Sequence, residues 1–262
     1  MNDLQYIQLE TTNHCNAKCR FCPHYKFEEK GFMSDELYDK ILSEAQQLPN
    51  LAEIIPMLTG EPFLDKKFIP RLAKLREMFP NIAIEVYTNG SLLTEEVVAQ
   101  LKDIPNVRYS VSLNGLNPDT RKMVMELDDY FDVVLGVKAM ERAGIKYRVT
   151  MVAYPEIPRE EMKAFIDSGG MVIQYQSWAG TQYPYERRRW TSCARALTAM
   201  TVRYNGDVCL CCFDPFGEVS FGNLNTETIE EIWTSDKHRE YQTMHKQGRG
   251  NEMPMCENCT EG

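Results

Sequence analysis

Short apolar runs rich in β-branched residues alternate with segments of helical periodicity along most of the chain, and this alternation constrains the fold most strongly. When strands and helices alternate, successive strands lie parallel and each helix forms a right-handed crossover between them. Six such repeats predict an α/β fold. The predicted strands lie at about 6–9, 53–58, 83–87, 108–113, 146–152 and 172–175. The predicted helices lie at about 34–47, 66–79, 94–102, 129–143 and 159–167.

Small polar motifs follow the first four predicted strands. A cysteine-rich loop at 12–23 follows the first strand, Thr-Gly-Glu-Pro at 59–62 the second, Thr-Asn-Gly at 88–90 the third and Ser-Leu-Asn-Gly at 112–115 the fourth. Each of the last three is by itself an ordinary turn sequence. Parallel sheets and barrels carry their chemistry at the carboxyl ends of the strands, where all four motifs lie. We therefore expect one site at this edge of the sheet.

The loop after the first strand contains Cys15, Cys19 and Cys22 at C-x3-C-x2-C spacing. Three thiolates at this spacing can hold three irons of a [4Fe–4S] cluster, whereas a cluster used only for electron transfer is normally closed by four cysteines. An open iron can bind a small molecule, as a catalytic zinc keeps one position for water. Taken alone, the triad could also be a set of zinc ligands or a coincidence.

Composition narrows the class of protein. The chain has 38 acidic and 29 basic residues, and this net charge of −9 disfavours nucleic acid as a partner. No run approaches the roughly 20 apolar residues of a membrane span, and the N-terminus does not resemble a signal peptide. Nine cysteines without an export signal indicate metal or redox chemistry in a reducing cytoplasm.

The pattern changes near residue 180, where a polar segment rich in turn residues begins. We place a domain boundary there, between 1–180 and 181–262. The second part contains a predicted hairpin around Asn-Gly-Asp at 205–207, one predicted helix at about 227–233 and a C-x-x-C motif. A lone C-x-x-C could equally bind zinc or perform thiol chemistry. The six cysteines of this part are Cys193, Cys209, Cys211, Cys212, Cys256 and Cys259.

The order of the four motifs resembles the radical S-adenosylmethionine (radical SAM) superfamily, over about residues 5–180. This resemblance implies a partial (β/α)6 TIM-like barrel in which Cys15, Cys19 and Cys22 ligate a catalytic [4Fe–4S] cluster, whose open iron binds S-adenosylmethionine. It also implies cofactor contacts. The second motif departs from the family pattern by a threonine in place of its first glycine, and the fourth by an asparagine in place of aspartate. The implied cofactor contacts are Phe21, beside adenine, Gly60 and Glu61, toward the amino group, and Ser112 and Asn114, toward the carboxylate and ribose.

The C-terminal part resembles the cysteine-rich twitch domain of radical SAM enzymes, the shorter form of the SPASM domain. The resemblance implies a second, auxiliary [4Fe–4S] cluster held by Cys193, Cys211, Cys256 and Cys259. Because the sequence ends three residues after the last of these, we expect one auxiliary cluster rather than two. Cys209 and Cys212 are left over. Each is either a buried structural thiol or a hydrogen-atom donor to substrate, and Cys209 could also compete as a ligand.

The resemblance also implies the chemistry. Reductive cleavage of S-adenosylmethionine yields a 5′-deoxyadenosyl radical that takes a hydrogen atom from an unactivated C–H bond. Loss of a proton and of an electron to the auxiliary cluster would oxidise a carbinol to a ketone, whereas hydrogen return from a thiol would give an epimer. A non-enzymatic electron carrier or redox sensor is a third reading, but it leaves the motifs at 59–62 and 112–115 unexplained.

Length and layout resemble those of twitch enzymes that oxidise an amino-cyclitol, so a small polyhydroxylated substrate is expected, with a short peptide as the alternative. A one-electron donor such as flavodoxin or ferredoxin is expected as the partner protein. Gln174, Gln176 and Trp178, near the end of the sixth predicted strand, are candidate substrate contacts. Trp178 could instead pack at the domain junction, and one glutamine could be merely exposed.

Overall fold

A nine-stranded sheet forms the framework of the computed structural model, which describes residues 2–176, 178–179 and 191–259. The strand order is β6-β5-β4-β3-β2-β1-β7-β8-β9, and β1 to β6 are parallel neighbours. The α/β fold and the partial barrel are thus confirmed. The strands are β1 (Tyr6–Leu9), β2 (Glu53–Ile55), β3 (Ala83–Thr88), β4 (Val107–Ser112), β5 (Lys146–Val152), β6 (Met171–Ile173), β7 (Ala199–Val202), β8 (Asp207–Cys209) and β9 (Ser220–Asn223).

The predicted helices are present with small changes at their ends. Ser34 caps α1 by accepting a hydrogen bond from the backbone N–H of Leu37 at 3.1 Å, as its position before two acidic residues predicts. The helices are α1 (Asp35–Ala45), α2 (Phe68–Met78), α3 (Glu95–Lys102), α4 (Pro118–Met125), α5 (Tyr130–Arg142), α6 (Arg159–Asp167), α7 (Ala194–Thr198), α8 (Ile229–Trp233) and α9 (Asp236–Lys246).

Three of these helices, α4, α7 and α9, are additions to the prediction. The expectation of one helix after residue 180 is therefore wrong. Helix α4 begins with Pro118, shortly after a glycine, and after eight residues it ends at Glu126, which adopts a left-handed conformation. Helix α9 is so rich in charged residues that its apolar periodicity is weak. Both have good N-caps, Asn117 and Ser235, which were the available signals.

Strand β7, the first strand of the C-terminal part, joins the main sheet. Strand β7 lies parallel to β1, with Tyr6 opposite Ala199 and Leu9 opposite Val202. The predicted hairpin then follows, with β8 antiparallel to β7. The segment in which we placed the domain boundary lies mostly outside the described residues, and the sheet on its two sides is continuous.

One apolar core supports both parts of the chain. Leu9, Val86, Met140, Val202 and Leu224 belong to the same buried cluster, although they come from distant parts of the sequence. Within the described ranges, no helix is long and apolar enough to cross a membrane. The shared core and sheet hold the carboxyl ends of β1 to β5 in fixed positions beside the C-terminal hairpin.

Candidate active site and auxiliary metal centre

A cavity of about 490 Å³ lies at the carboxyl ends of the parallel strands and opens to solvent. It brings together residues from all four motifs that follow the first four strands, together with Arg195, Cys212 and Phe213 from the C-terminal part. The predicted site residues that line it are Cys15, Cys19, Phe21, Cys22, Gly60, Glu61, Ser112, Asn114, Gln174, Gln176, Trp178 and Cys212.

The cysteine loop is held against the end of α4. The backbone N–H of Lys18 donates to the carbonyl of Met125 at 3.0 Å, and that of Arg20 donates to Val124 at 2.9 Å. The last carbonyls of a helix lack partners within the helix, so α4 offers acceptors where the loop offers donors. The cysteines of this loop, Cys15, Cys19 and Cys22, lie next to these two backbone hydrogen bonds in the sequence, and all three line the cavity.

The thiols fit the cluster that the spacing predicts. Burial raises the pKa of Cys15 to about 11 and that of Cys22 to about 12, and it also raises the pKa of Cys19, with a further contribution from its two neighbouring cysteines. Loading with iron must therefore release protons. Across the described residues, no three His, Cys, Asp or Glu side chains are close enough to share a single metal ion. The sulfurs surround a cavity, as ligands of a multi-iron cluster do.

Gly60 allows the second motif to lie directly on the cysteine loop. A Cβ atom at this position would lie 2.2 Å from the carbonyl oxygen of Thr12 and 2.8 Å from that of His14. The backbone N–H of Glu61 donates to the same His14 carbonyl at 2.7 Å. On the other side, the buried Glu10 carboxylate accepts hydrogen bonds from the backbone N–H and the hydroxyl of Thr59. The second motif is therefore fixed from both ends.

The Glu61 carboxylate lines the cavity but also ties two loops together. It accepts from the hydroxyl of Thr88 at 2.8 Å and from the backbone N–H of Asn89 at 2.7 Å. Burial raises the pKa of Glu61 to about 7, although these hydrogen bonds oppose the shift. A carboxylate has about four acceptor sites, so these contacts leave capacity for a cationic amino group.

Asn114 has a similar structural role in the fourth motif. Its side-chain oxygen accepts from the backbone N–H of Val152 at 2.8 Å, and its side-chain nitrogen lies 3.3 Å from the sulfur of Met125. Its backbone is left-handed, with φ of 54°, a conformation that asparagine tolerates better than most residues. The side chain thus joins the β4 loop to β5 and α4.

Arg121 on α4 was not predicted from the sequence. It is fully buried, pairs with Asp129 at 2.6 Å and donates to the backbone carbonyls of Ser112, Leu113 and Asn89 at 3.0 to 3.1 Å. It therefore connects the loops after β3 and β4. An arginine in a polar helix is normally expected to be exposed, so the sequence does not indicate that Arg121 is buried. Only its tertiary contacts identify its role.

The far wall of the cavity contains groups suited to a polar ligand. Gln174 is exposed at the mouth, Gln176 is partly buried and Arg148 reaches in from β5, where its guanidinium donates to Ser110 at 3.2 Å. The indole N–H of Trp178 donates to the carbonyl of Phe21 at 2.9 Å, and its ring packs edge-on against Phe213. Trp178 therefore also joins the cysteine loop to the C-terminal hairpin.

A second, small cavity of about 30 Å³ lies behind this wall. Cys193, Cys211, Cys256 and Cys259 all line it, so the chain brings the four predicted auxiliary ligands to one place. Burial raises the pKa of Cys256 to about 12 and also raises that of Cys211. Four thiols around one apolar cavity fit a closed iron–sulfur cluster by donor type and number.

The remaining two cysteines differ in position. Cys212 lines the large cavity, whereas its neighbour Cys211 lines the small one. Cys209 is 2% exposed and lines neither cavity; its sulfur lies 3.7 Å from the carbonyl oxygen of Thr201. The structure therefore places the thiol of Cys209 in the core, beside the backbone of Cys211 and outside the lining of both cavities.

Comparison with known proteins agrees with the fold and the site. The profile of the Radical SAM superfamily matches residues 9–168, and that of the SPASM iron–sulfur cluster-binding domain matches residues 193–260. The chain belongs to the radical SAM superfamily and carries a C-terminal SPASM domain. Its cofactors are accordingly S-adenosylmethionine and two [4Fe–4S] clusters.

Three relatives illustrate the range of sequence similarity. The S-adenosyl-L-methionine-dependent 2-deoxy-scyllo-inosamine dehydrogenase of Niallia circulans is 24% identical over 97% of this chain and 91% of its own length. The tungsten-containing aldehyde ferredoxin oxidoreductase cofactor-modifying protein of Pyrococcus furiosus is 32% identical over 55% of this chain and 39% of its length. The GTP 3′,8-cyclase of Yersinia pestis is 27% identical over 62% and 50%.

Solved structures share the fold across nearly the whole chain. BtrN, in complex with AdoMet and 2-DOIA, superposes with a TM-score of 0.71 at 20% identity, over 98% of this chain and 93% of its own. SuiB of Streptococcus suis, bound to its precursor peptide, gives a TM-score of 0.77 at 14% identity, over 93% and 67%. At such identities the likeness establishes the architecture alone.

Proposed function

We propose that this chain is a radical SAM dehydrogenase that oxidises a carbinol carbon of a small polyhydroxylated molecule to a ketone. Cys15, Cys19 and Cys22 would hold the catalytic cluster, and Cys193, Cys211, Cys256 and Cys259 the auxiliary cluster. When bound, the catalytic cluster and S-adenosylmethionine supply a 5′-deoxyadenosyl radical that removes the hydrogen atom from the carbinol carbon. We place this chemistry in the cytoplasm, because thiols and an open cluster need a reducing compartment.

The observation that carries the proposal is the shared wall between the two cavities. Arg195 and Phe213 line both, and the adjacent residues Cys211 and Cys212 face one each. The substrate site and the auxiliary site would therefore be neighbours on either side of Arg195 and Phe213. A closed four-cysteine cluster has no open iron, so electron transfer is the task that suits it.

The polar groups of the large cavity suit a hydroxylated ligand. Amide side chains of Gln174 and Gln176 and the guanidinium of Arg148 can each bond hydroxyl groups, and the hydroxyls of Ser110 and Thr150 lie on neighbouring strands of the same wall. These groups would fix which carbon faces the cofactor, because an apolar wall with a few placed polar groups determines orientation.

The overall step balances. The carbinol carbon would lose one hydrogen atom, which would appear in 5′-deoxyadenosine. The hydroxyl group would then lose a proton, and one electron would pass to the auxiliary cluster. The substrate is thereby oxidised by two electrons. We also propose that the electron needed to cleave S-adenosylmethionine comes from a protein donor such as flavodoxin or ferredoxin.

The proposal is tested with anaerobically reconstituted protein and 2-deoxy-scyllo-inosamine, the amino-cyclitol in the name of the Niallia relative, beside a panel of related polyols. We expect one 5′-deoxyadenosine per ketone, and about eight irons per chain, falling to about four in a Cys256→Ala/Cys259→Ala variant. That variant should still cleave S-adenosylmethionine but form no ketone. Ketone formation at the wild-type rate by the variant would refute the electron-acceptor role.

A second function, radical epimerisation of a sugar or peptide residue, is favoured by one observation. Burial raises the pKa of Cys212 to about 11 against the opposing charge of Arg195, so Cys212 is a neutral thiol in the large cavity at neutral pH. Its hydrogen atom could pass to the substrate radical, and the resulting thiyl group would regain an electron from the auxiliary cluster and a proton from solvent.

Solvent deuterium distinguishes the two functions. Epimerisation in D2O should place deuterium at the reacting carbon, and Cys212→Ser should abolish the product while S-adenosylmethionine cleavage continues. Dehydrogenation should give a ketone in both the wild type and Cys212→Ser. A Cys209→Ser variant is the matched control, because this thiol lines neither cavity.

A further inference from the structure

His245 lies at the auxiliary site, although its spacing in the sequence predicts no metal chemistry. It is on α9, is 3% exposed and lines the small cavity with the four cysteines. Its Nε2 lies 3.5 Å from the sulfur of Cys256. A histidine ring therefore contacts one of the four proposed cluster ligands directly.

The other ring nitrogen determines where the proton resides. The Nδ1 of His245 is buried and has no hydrogen-bond partner among the described residues. The ring lies against the backbone of Gly250, where a Cβ atom would be only 2.2 Å from Nδ1. A buried donor without an acceptor costs more free energy than a buried lone pair does. The stable tautomer thus carries its hydrogen on Nε2, toward Cys256.

Ligation fixes the direction of the hydrogen bond. Once the sulfur of Cys256 ligates iron as a thiolate, it has no hydrogen and can only accept. We propose that the Nε2–H of His245 donates a hydrogen bond to the sulfur of Cys256 and thereby raises the reduction potential of the auxiliary cluster. Hydrogen bonds to cluster sulfurs are one of the means by which a protein sets this potential, because they stabilise the more negative, reduced state.

This inference rests on the proposed ligand role of Cys256 and deepens the proposed function. A higher potential makes the auxiliary cluster a better acceptor for the electron that leaves the substrate. His245 is therefore a positioning and tuning residue rather than a catalytic residue, since it lines the auxiliary cavity and not the large one.

The test measures the potential of the auxiliary cluster alone. A full-length Cys15→Ala/Cys19→Ala/Cys22→Ala variant is reconstituted, so that the remaining cluster is the auxiliary one, and its midpoint potential is measured by EPR-monitored redox titration. His245→Phe retains a ring but no N–H, and His245→Gln retains an N–H at a similar distance along the side chain. We expect His245→Phe to shift the reduction equilibrium about tenfold toward the oxidised state, about 59 mV for one electron, with His245→Gln close to the parent.

His238→Phe is the matched control. His238 lies on the same helix and is similarly buried, but its ring contacts Phe221 and the carbonyl of Trp233 rather than the small cavity. Its replacement should leave the potential unchanged. The proposal is overturned if His245→Phe keeps its iron and its potential, or if His245→Phe and His245→Gln both lose the cluster, which would make the ring a ligand or a packing group. Neither measurement needs a substrate, so failure here is distinct from failure of the dehydrogenase proposal.

Discussion

At the scale of single residues, the site depends on positions where the packing leaves no room for a larger side chain. Gly60 is the clearest, because the backbone of the cysteine loop occupies the space that a side chain would need. The motif that contains it has threonine in place of the family's first glycine, and the structure gives this threonine its own role, since Thr59 binds the buried Glu10. The departure from the family pattern thus creates a contact rather than a defect.

We predict that Gly60→Ala weakens S-adenosylmethionine binding at least about tenfold, or about 1.4 kcal/mol. The added methyl would lie 2.2 Å from the Thr12 carbonyl, so the two loops must move apart. Isothermal titration of the reconstituted protein measures the affinity. Gly144→Ala is the control: its Cβ would meet nothing within 4 Å, so it should cost about 1 kcal/mol of stability through its left-handed backbone and leave the affinity unchanged. Equal affinities of wild type and Gly60→Ala would contradict the argument.

Glu61 should give the cluster-free protein a pH-dependent stability. Burial raises the pKa of Glu61 in the folded state to about 7, above its ordinary value of 4.5. The folded state then binds the proton more tightly than the unfolded state, so the contribution to stability is complete below about pH 4.5 and is lost as the pH rises through 7. The size of this loss is on the order of 3 kcal/mol.

The comparison with Glu61→Gln isolates this contribution, because glutamine does not titrate. Urea unfolding of the cluster-free proteins between about pH 5 and about pH 8 should show wild type losing stability relative to the variant as the pH rises. Parallel curves for the two proteins would show that Glu61 is already ionised throughout this range.

At the scale of secondary-structure elements, helix α4 organises the cofactor loops. Its last carbonyls accept from the cysteine loop, and Arg121 on its buried face binds the loops after β3 and β4. Three segments that are distant in sequence thus meet on one eight-residue helix. Arg121 also brings a positive charge into the region of Cys19, where it opposes the rise in pKa that burial causes.

We predict that Arg121→Met costs about 3 to 5 kcal/mol, because Asp129 loses its buried partner and three carbonyls lose a donor. In Arg121→Met/Asp129→Asn part of the stability should return, since the unpaired charge is gone, but S-adenosylmethionine affinity should remain low. Urea unfolding and isothermal titration separate the two effects. Recovery of affinity in the double variant would mean that Arg121 acts only by balancing the charge of Asp129.

At the scale of the whole molecule, the C-terminal cysteine-rich part is built onto the barrel sheet. Strand β7 pairs with β1, and Met200 and Val202 enter the same core as Leu9. This arrangement fixes the small cavity behind the wall of the large one. We therefore expect the two parts to unfold as one cooperative unit.

Val202→Ala tests this cooperativity. The substitution should lower the free energy of unfolding by about 2 kcal/mol. In native-state hydrogen exchange, the free energy of opening should fall by a similar amount in β3 to β5 and in β8 and β9. Ile166→Ala is the control, because Ile166 is 55% exposed on α6 and its loss should change little. Faster exchange confined to β8 and β9 would show that the C-terminal part opens independently.

The sequence by itself determined the six parallel strands, the cysteine spacings and the order of the motifs, because these depend on local periodicity and on residue types that are close in the chain. Every site residue that it named, except Cys209, lines one of the two cavities. It missed α4 and α9, whose polar sequences carry little periodicity, and with them Arg121 and His245. It offered both Cys209 and Cys212 as hydrogen-atom donors and could not tell which of them reaches the large cavity.

Only the tertiary structure decided the positions of Arg121, His245 and the two remaining cysteines, and the same physical reason applies to all of them. Which face of a short strand or helix is buried depends on what packs against it, and that partner comes from a distant segment. Cys211 and Cys212 line different cavities, Cys209 lies in the core, and His245 on α9 contacts Cys256. Spacing along the chain carries no information about such contacts.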